Sequence, residues 1–286
     1  MTWSQKWSRC VLFTASLCFL TTPAQSQVEH LEAVVISRNL DYIPDVEYAN
    51  ARDMLDVFMP KDVEEVPVVV FFHGGALQNG SKNAGEHIAA RLIPHGIGVV
   101  SANYRLSPNV MHPSHVQDAA AAFSWVIQNI KRYGGDPDNV YLSGHSAGAY
   151  LAVLLALDPT HLAAYGLGLD SFRGTIPISP FLFVEETAPD RPKDVWGEDP
   201  KVWLSASVTP HIGPDRGRIL LIYADGDAAW RKSQNDRFSE GMRAAGNSDV
   251  VALEVPGRDH GSLMTEMNAS DDQVGEAVMK FIRDHW

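Results

Sequence analysis

The stretch Val140-Tyr141-Leu142-Ser143-Gly144-His145-Ser146-Ala147-Gly148, running on through Ala149 to Leu157, decides the fold. Its first four residues are of the kind that a strand buried on both faces requires. Residues 147–157 are apolar all round, the pattern of a helix enclosed by other elements. Between the two lies a Gly-x-Ser-x-Gly turn with no spacer on either side. A serine at such a hairpin adopts a strained backbone that lifts its hydroxyl above the sheet edge. Glycines flank it because a Cβ there would collide with neighbouring backbone. The helix start also presents free N–H groups and a positive dipole end. Ser146 is therefore a candidate nucleophile. The plainer reading, a tight turn without chemistry, gives no reason for this strand–turn–helix context.

Working outward, the patterns predict strands over residues 52–59, 66–72, 97–101, 174–179, 218–223 and 250–255. Residues 52–59 alternate as a half-exposed strand does; most of the others are continuous apolar runs. Helical spacing marks 115–131, 231–245 and 271–284. Strands alternating with helices imply the α/β class: a mainly parallel, twisted sheet of about eight strands with helices on both faces. One stretch breaks the alternation. Residues 184–215 are rich in Pro, Asp and Glu, carry Trp196 and Trp203, and are too long for an ordinary loop. They predict an inserted lid of short helices within one domain spanning 27–286.

A serine hydroxyl needs a base. His260, in Gly257-Arg258-Asp259-His260-Gly261-Ser262 after the last predicted strand, can overhang the nucleophile. His112, His115 and His161 sit in or beside helical segments, and His211 lies in the insertion. His145 adjoins the serine but faces the wrong way along the turn, so it is read as packing. The base needs an acid to fix its tautomer. Asp225-Gly226-Asp227 follows the 218–223 strand; Asp227 lies further beyond the strand end and is preferred. Asp225 is read as a brace for the turn, and Asp259 as structural. Acyl transfer also needs donors for an oxyanion, typically worth about 2.7–4 kcal/mol each. His73-Gly74-Gly75-Ala76 directly follows the 66–72 strand and exposes backbone N–H groups, Ala147 adds one from the helix start, and His73 is read as holding the loop.

Composition excludes other classes. The chain has 286 residues, 45% hydrophobic and 20% charged, an ordinary globular balance rather than a disordered, collagen-like or coiled-coil one. A net charge of −12 with no Lys or Arg run argues against nucleic-acid binding. Residues 1–26 read as a signal peptide: Lys6 and Arg9, an apolar Cys10–Leu20, then small residues through Ser26. That stretch falls short of the roughly 20 apolar residues of a membrane span. The expectation is export, secreted or periplasmic, with no stable membrane insertion after cleavage; a retained anchor is the other reading. Cys10 and Cys18 both lie in this segment, so cysteine chemistry is excluded from the processed chain.

Taken together, His73-Gly74-Gly75-Ala76-Leu77 with Gly80-Ser81, Asn103-Tyr104-Arg105-Leu106, Gly134-Gly135-Asp136-Pro137 and Gly144-His145-Ser146-Ala147-Gly148 resemble the α/β-hydrolase superfamily. The similarity runs from about Asp53 to the C-terminus. It points to small carboxylesterases near the hormone-sensitive-lipase, kynurenine-formamidase and acetyl/feruloyl-xylan-esterase groups. The resemblance implies a Ser146–Asp227–His260 triad in that family's chain order. It also implies oxyanion donors among Gly74, Gly75, Ala76 and Ala147, with Arg105 and Asp118 as structural partners. Ala76 stands where the lipase-like branch has a third glycine, and the formamidase branch has an aromatic nearby. The function implied is serine-dependent hydrolysis of a small-molecule carboxylic ester without metal or organic cofactor. Leu77, Phe181, Phe183, Trp196 and Trp203 are the candidates for an apolar substrate pocket. An amidase, arylformamidase or peptidase would use the same triad, and a binding protein would keep the fold without catalysis. Oligomeric state is left open.

Overall fold

Runs of Val, Ile and Phe are assembled side by side into one sheet. The computed structural model describes residues 27–286 other than 31–32, 45, 188–190 and 271, so the signal-peptide reading of 1–26 lies outside the described residues. The strands are β1 (Gln27–His30), β2 (Val34–Asp41), β3 (Met54–Pro60), β4 (Val66–Phe72), β5 (Gly98–Ala102), β6 (Gly135–His145), β7 (Gly174–Ile178), β8 (Ile219–Ala224) and β9 (Val250–Val255). Among the described residues they form a nine-stranded sheet in the order β1-β2-β3-β5-β4-β6-β7-β8-β9. β1, β2 and β3 pair antiparallel, as does β3 with β5. From β5 across to β9 all pairings are parallel.

The sheet is therefore mainly parallel, as the alternation implies, and wider by the hairpin β1–β2. That hairpin carries no residue pattern that marked it as strand. β3 also differs from its predicted half-exposed state: every residue from Leu55 to Pro60 is buried, Asp56 included. Its carboxylate is compensated by Lys82 at 2.6 Å and Arg38 at 3.2 Å. A buried carboxylate is tolerated only when paired in this way.

The helices are α1 (Gly85–Leu92), α2 (Ser114–Asn129), α3 (Ala147–Leu157), α4 (Pro159–Ala163), α5 (Arg191–Trp196), α6 (Pro200–Ala206), α7 (Ala229–Ala244), α8 (Ser262–Thr265) and α9 (Gln273–Arg283). α1 and α9 cover one face of the sheet through Ile88, Leu92, Val278 and Ile282. α2 and α3 cover the other through Val116, Phe123, Leu151 and Leu154. Each such side chain contributes about 1.5–3 kcal/mol on burial. Every residue of α3 is buried, as its uniformly apolar sequence requires.

Residues 184–215 carry α5 and α6 with short 3-10 turns on either side. The segment is stitched to the core rather than draped over it. Val184, Val195, Trp196, Ala206 and Val208 are buried. Tyr150 donates its hydroxyl to the Ala206 carbonyl at 2.7 Å, and the His112 amide donates to Val195 at 2.9 Å. Among the described residues no helix is long and apolar enough to cross a membrane.

Candidate active site

Parallel strands bring their carboxyl ends to one edge, and the loops leaving β4, β6, β7, β8 and β9 meet there. The turn between β6 and α3 sets the geometry. Ser146 has φ 54° and ψ −113°, outside the regions an L-residue prefers. Its amide donates to the Ile178 carbonyl at 2.8 Å, at the end of β7. A Cβ on Gly148 would lie 2.0 Å from the Phe72 carbonyl oxygen, and one on Gly144 would lie 2.4 Å from Gly148 backbone. Both glycines are thus required by close backbone approach. Ser146 itself is 8% exposed.

The loop leaving β4 lies against this turn. A Cβ on Gly74 would come within 3.3 Å of the Ser146 Cβ, so the backbone of the two segments is nearly in contact. The loop then folds back: the Gln78 and Asn79 amides both donate to the Gly75 carbonyl. This requires Ala76 and Leu77 to take positive φ of 58° and 62°. Among the described residues the amides of Gly74, Gly75, Ala76 and Ala147 meet no hydrogen-bond acceptor. His73 sits beneath, fully buried and stacked on Tyr104 at 4.2 Å, its Nδ1–H donating to the Gly74 carbonyl at 2.7 Å. Burial pushes its imidazole down to about 4, so it is neutral at ordinary pH.

On the other side of Ser146 stand the acid and base. Asp227, just past β8, is buried and faces His260 Nδ1 at 2.9 Å through Oδ1. Its Oδ2 accepts from the Ala224 amide at 3.0 Å and from the Ser179 hydroxyl at 2.8 Å. Burial alone would push this carboxyl up. The hydrogen bonds from His260, the Ala224 amide and Ser179 outweigh it and hold it below the usual carboxylate range.

Asp225, two residues earlier, accepts from the Gly257 and Arg258 amides and so braces the loop that carries His260. Asp259 turns away and caps the Gly261 and Ser262 amides. Arg105 and Asp118 form a fork of hydrogen bonds at 2.7 and 2.8 Å. His161 and His211 lie 3.3 and 3.8 Å from Asp158, and His115 bonds Ser107 at 3.1 Å.

His145 does more than pack. Its Nε2–H donates to the main-chain carbonyl of His260 at 2.8 Å, and the two rings sit 4.6 Å apart. The residue preceding Ser146 thereby ties down the loop of the base. Burial first, then the nearby His260, pushes the His145 imidazole down to about 4, so this donor stays neutral. Among the described residues no hydrogen bond joins the Ser146 hydroxyl to His260; contacts of this kind often tighten only when substrate binds.

Of the residues proposed for a pocket, Leu77 is fully buried in the core under the β4 loop. Phe181 stacks on Tyr150 at 4.7 Å, and Trp196 meets both edge-on. Phe183 belongs to a different cluster, under Arg237. Trp203 is half-buried and donates to the Gly197 carbonyl at 2.6 Å. Two residues at the centre escaped the sequence reading. Ser179 and Arg231 both contact Asp227, and nothing but Ser179's place at a strand end distinguished either. Among the described residues no group of three His, Asp or Glu is placed to hold a metal.

A mainly parallel sheet with a serine on the β6–α3 turn, and an aspartate and histidine beyond β8 and β9, is the α/β-hydrolase fold. The BD-FAE family model matches residues 55–166. Esterase LipC of Mycobacterium tuberculosis is 30% identical over 230 residues, covering 73% of this chain and 56% of LipC. Isoprenylcysteine alpha-carbonyl methylesterase ICME of Arabidopsis thaliana is 27% identical over 261 residues, covering 81% of this chain and 59% of ICME. The chain thus spans somewhat over half the length of these curated relatives. Among solved structures, a truncated carbohydrate esterase from gut microbiota superposes with a TM-score of 0.76 at 20% identity, covering 92% of this chain and 98% of that one. The carboxylesterase EstE1, cloned from a metagenomic library, gives 0.72 at 20% identity with 92% of each covered.

Proposed function

We propose that this chain is a carboxylic ester hydrolase that works through an acyl-enzyme on Ser146, with His260 as base and Asp227 as the acid that orients it. One observation carries the reading: the Asp227–His260 pair at 2.9 Å is held, through the His145 bond to the His260 carbonyl, to the residue next to Ser146. His260 takes the Ser146 proton on Nε2 as Oγ attacks the ester carbonyl. The oxyanion is received by amides drawn from Gly74, Gly75, Ala76 and Ala147, whose hydrogens have no other partner among the described residues. His260 then passes the proton to the departing alcohol, and water cleaves the acyl-serine by the same route. Because Asp227 is held ionised, it stabilises the imidazolium without taking its proton.

The named esterases among the relatives support the choice of an ester substrate. Phe181 and Trp196 are buried, so their part is to support the acyl or alcohol site from beneath. Residues 1–26 would direct export and be removed. The test is hydrolysis of p-nitrophenyl acetate, butyrate and octanoate by the native protein and Ser146→Ala. Loss of the nucleophile should lower kcat by about 10⁶; activity kept within tenfold would remove Ser146 from the reaction. A parallel panel of N-formyl anilides and aminoacyl amides separates ester from amide hydrolysis.

A further inference from the structure

The carboxyl end of β7 stands between the nucleophile and the acid–base pair, and its last residues hold both. Ile178 accepts the Ser146 amide at 2.8 Å. The next residue, Ser179, is fully buried and has φ 49°. Its hydroxyl oxygen lies 2.8 Å from Asp227 Oδ2 and 2.8 Å from His260 Nδ1. A carboxylate only accepts, so the Ser179 hydroxyl donates to Oδ2. The same oxygen then turns a lone pair to the Nδ1–H, whose proton also faces Asp227 Oδ1. The Ser179 carbonyl accepts from Arg231 at 2.9 Å, and the Arg231 Nε lies 3.6 Å from Asp227 Oδ1.

We infer that Ser179 is a positioning residue for the hydrolysis: its hydroxyl fixes the plane of the Asp227 carboxylate and shares the His260 Nδ1 proton, aligning the pair from β7. This rests on the Ser146–Asp227–His260 reading above. The hydroxyl dipole sets hydrogen toward the carboxylate and oxygen toward the imidazole. Both ends are made already in the Nδ1–H tautomer, and the bond to the imidazole becomes charge-assisted, hence stronger, once His260 is cationic. The interaction is therefore stronger in the transition state than in the ground state, and its loss falls on kcat rather than KM. The backbone points the same way. A left-handed conformation is strain-free for glycine and costs a serine about 1–2 kcal/mol; here it aims the hydroxyl at Asp227.

The experiment compares Ser179→Ala and Ser179→Gly with the native protein and Ser146→Ala on p-nitrophenyl acetate, with melting temperatures and the low-field proton NMR signal of the His260 Nδ1–H. Both Ser179 variants should lose about tenfold in kcat, the rate equivalent of one hydrogen bond to a charged group, with KM within about twofold. The Nδ1–H signal should move in both. The glycine variant, freed of the positive-φ strain, should melt no lower than the alanine variant, so the lost rate is not lost fold. If Ser146→Ala is inactive while either Ser179 variant keeps native kcat, or KM alone changes, or the signal does not move, the inference fails and the triad stands. If Ser146→Ala stays active, the triad reading itself fails.

Discussion

The nucleophile turn and the insertion over residues 184–215 both follow a strand of the same sheet, yet they are held in opposite ways. In the turn, contact with other backbone leaves no room for substitution: a Cβ on Gly148 would overlap the Phe72 carbonyl at 2.0 Å. In the insertion, Gly197 has φ 80° and would place a Cβ in open space. There the segment is secured by its buried apolar side chains and a few bonds to carbonyls, such as Tyr150 to Ala206 and Trp203 to Gly197. A site built on close backbone contact fixes residue identity. One built on carbonyl acceptors does not, because every residue carries a carbonyl.

That contrast can be broken or sharpened by experiment. The largest effect belongs to the acid. Asp227→Asn should lower kcat by about 10⁴ by leaving His260 in the wrong tautomer. Asp225→Asn, two positions away, should change it far less, because among the described residues its carboxylate bonds the Gly257 and Arg258 amides and not His260. Steady-state kinetics on p-nitrophenyl acetate decide it, and a larger loss at Asp225 would reverse the assignment.

Next, Gly148→Ala should cost about 1–3 kcal/mol or more by forcing the turn off β4, with loss of activity. Gly197→Ala carries only its left-handed strain, roughly 1–2 kcal/mol, and should leave kcat unchanged. Urea denaturation with activity assays would expose a failure if the two variants behave alike.

Acid should also weaken the protein. Burial holds His73 and His145 at about 4 and His115 at about 3. Their ordinary value is about 6.5. Below that value the unfolded chain binds protons that the fold does not, so stability rises with pH over this window. It is fully present above about 6.5 and falls away toward 4. Melting temperature measured from pH 7.5 to pH 4.5 should drop steadily; a flat curve would mean these imidazoles are not excluded from water.

The smallest effect is Tyr150→Phe, which removes the bond to Ala206. About 1 kcal/mol should be lost. Amide exchange should quicken in α5 and α6, with that of α3 unaltered.

The same contrast explains what could be read in advance. The strands β4 through β9 and the helices α2, α3, α7 and α9 announce themselves by apolar period, because each buries a face or a whole circumference. The β1–β2 hairpin and α1 went unseen: Val34–Asp41 interleaves polar residues without strict alternation, and Gly85–Leu92 is only eight residues long. Ser146 was legible because its flanking glycines have no alternative, and His260 because it follows the last strand. Ser179 was not, since a serine at a strand end has many ordinary explanations. His145 packs as read, but its bond to the His260 loop is not legible because the partner is a main-chain carbonyl 115 residues away. The burial of Asp56 is not legible in residues 52–59, because the cations that neutralise it, Lys82 and Arg38, come from other elements.

The most direct trial of the account is chemical trapping. The protein is treated with an aryl alkylphosphonate, residual ester hydrolysis is followed, and the modified peptide is located by mass spectrometry. The account predicts one adduct per chain, on Ser146, with activity lost in step with its formation and no adduct in Ser146→Ala. Hydrolysis that persists without modification, or an adduct on another residue, would contradict it.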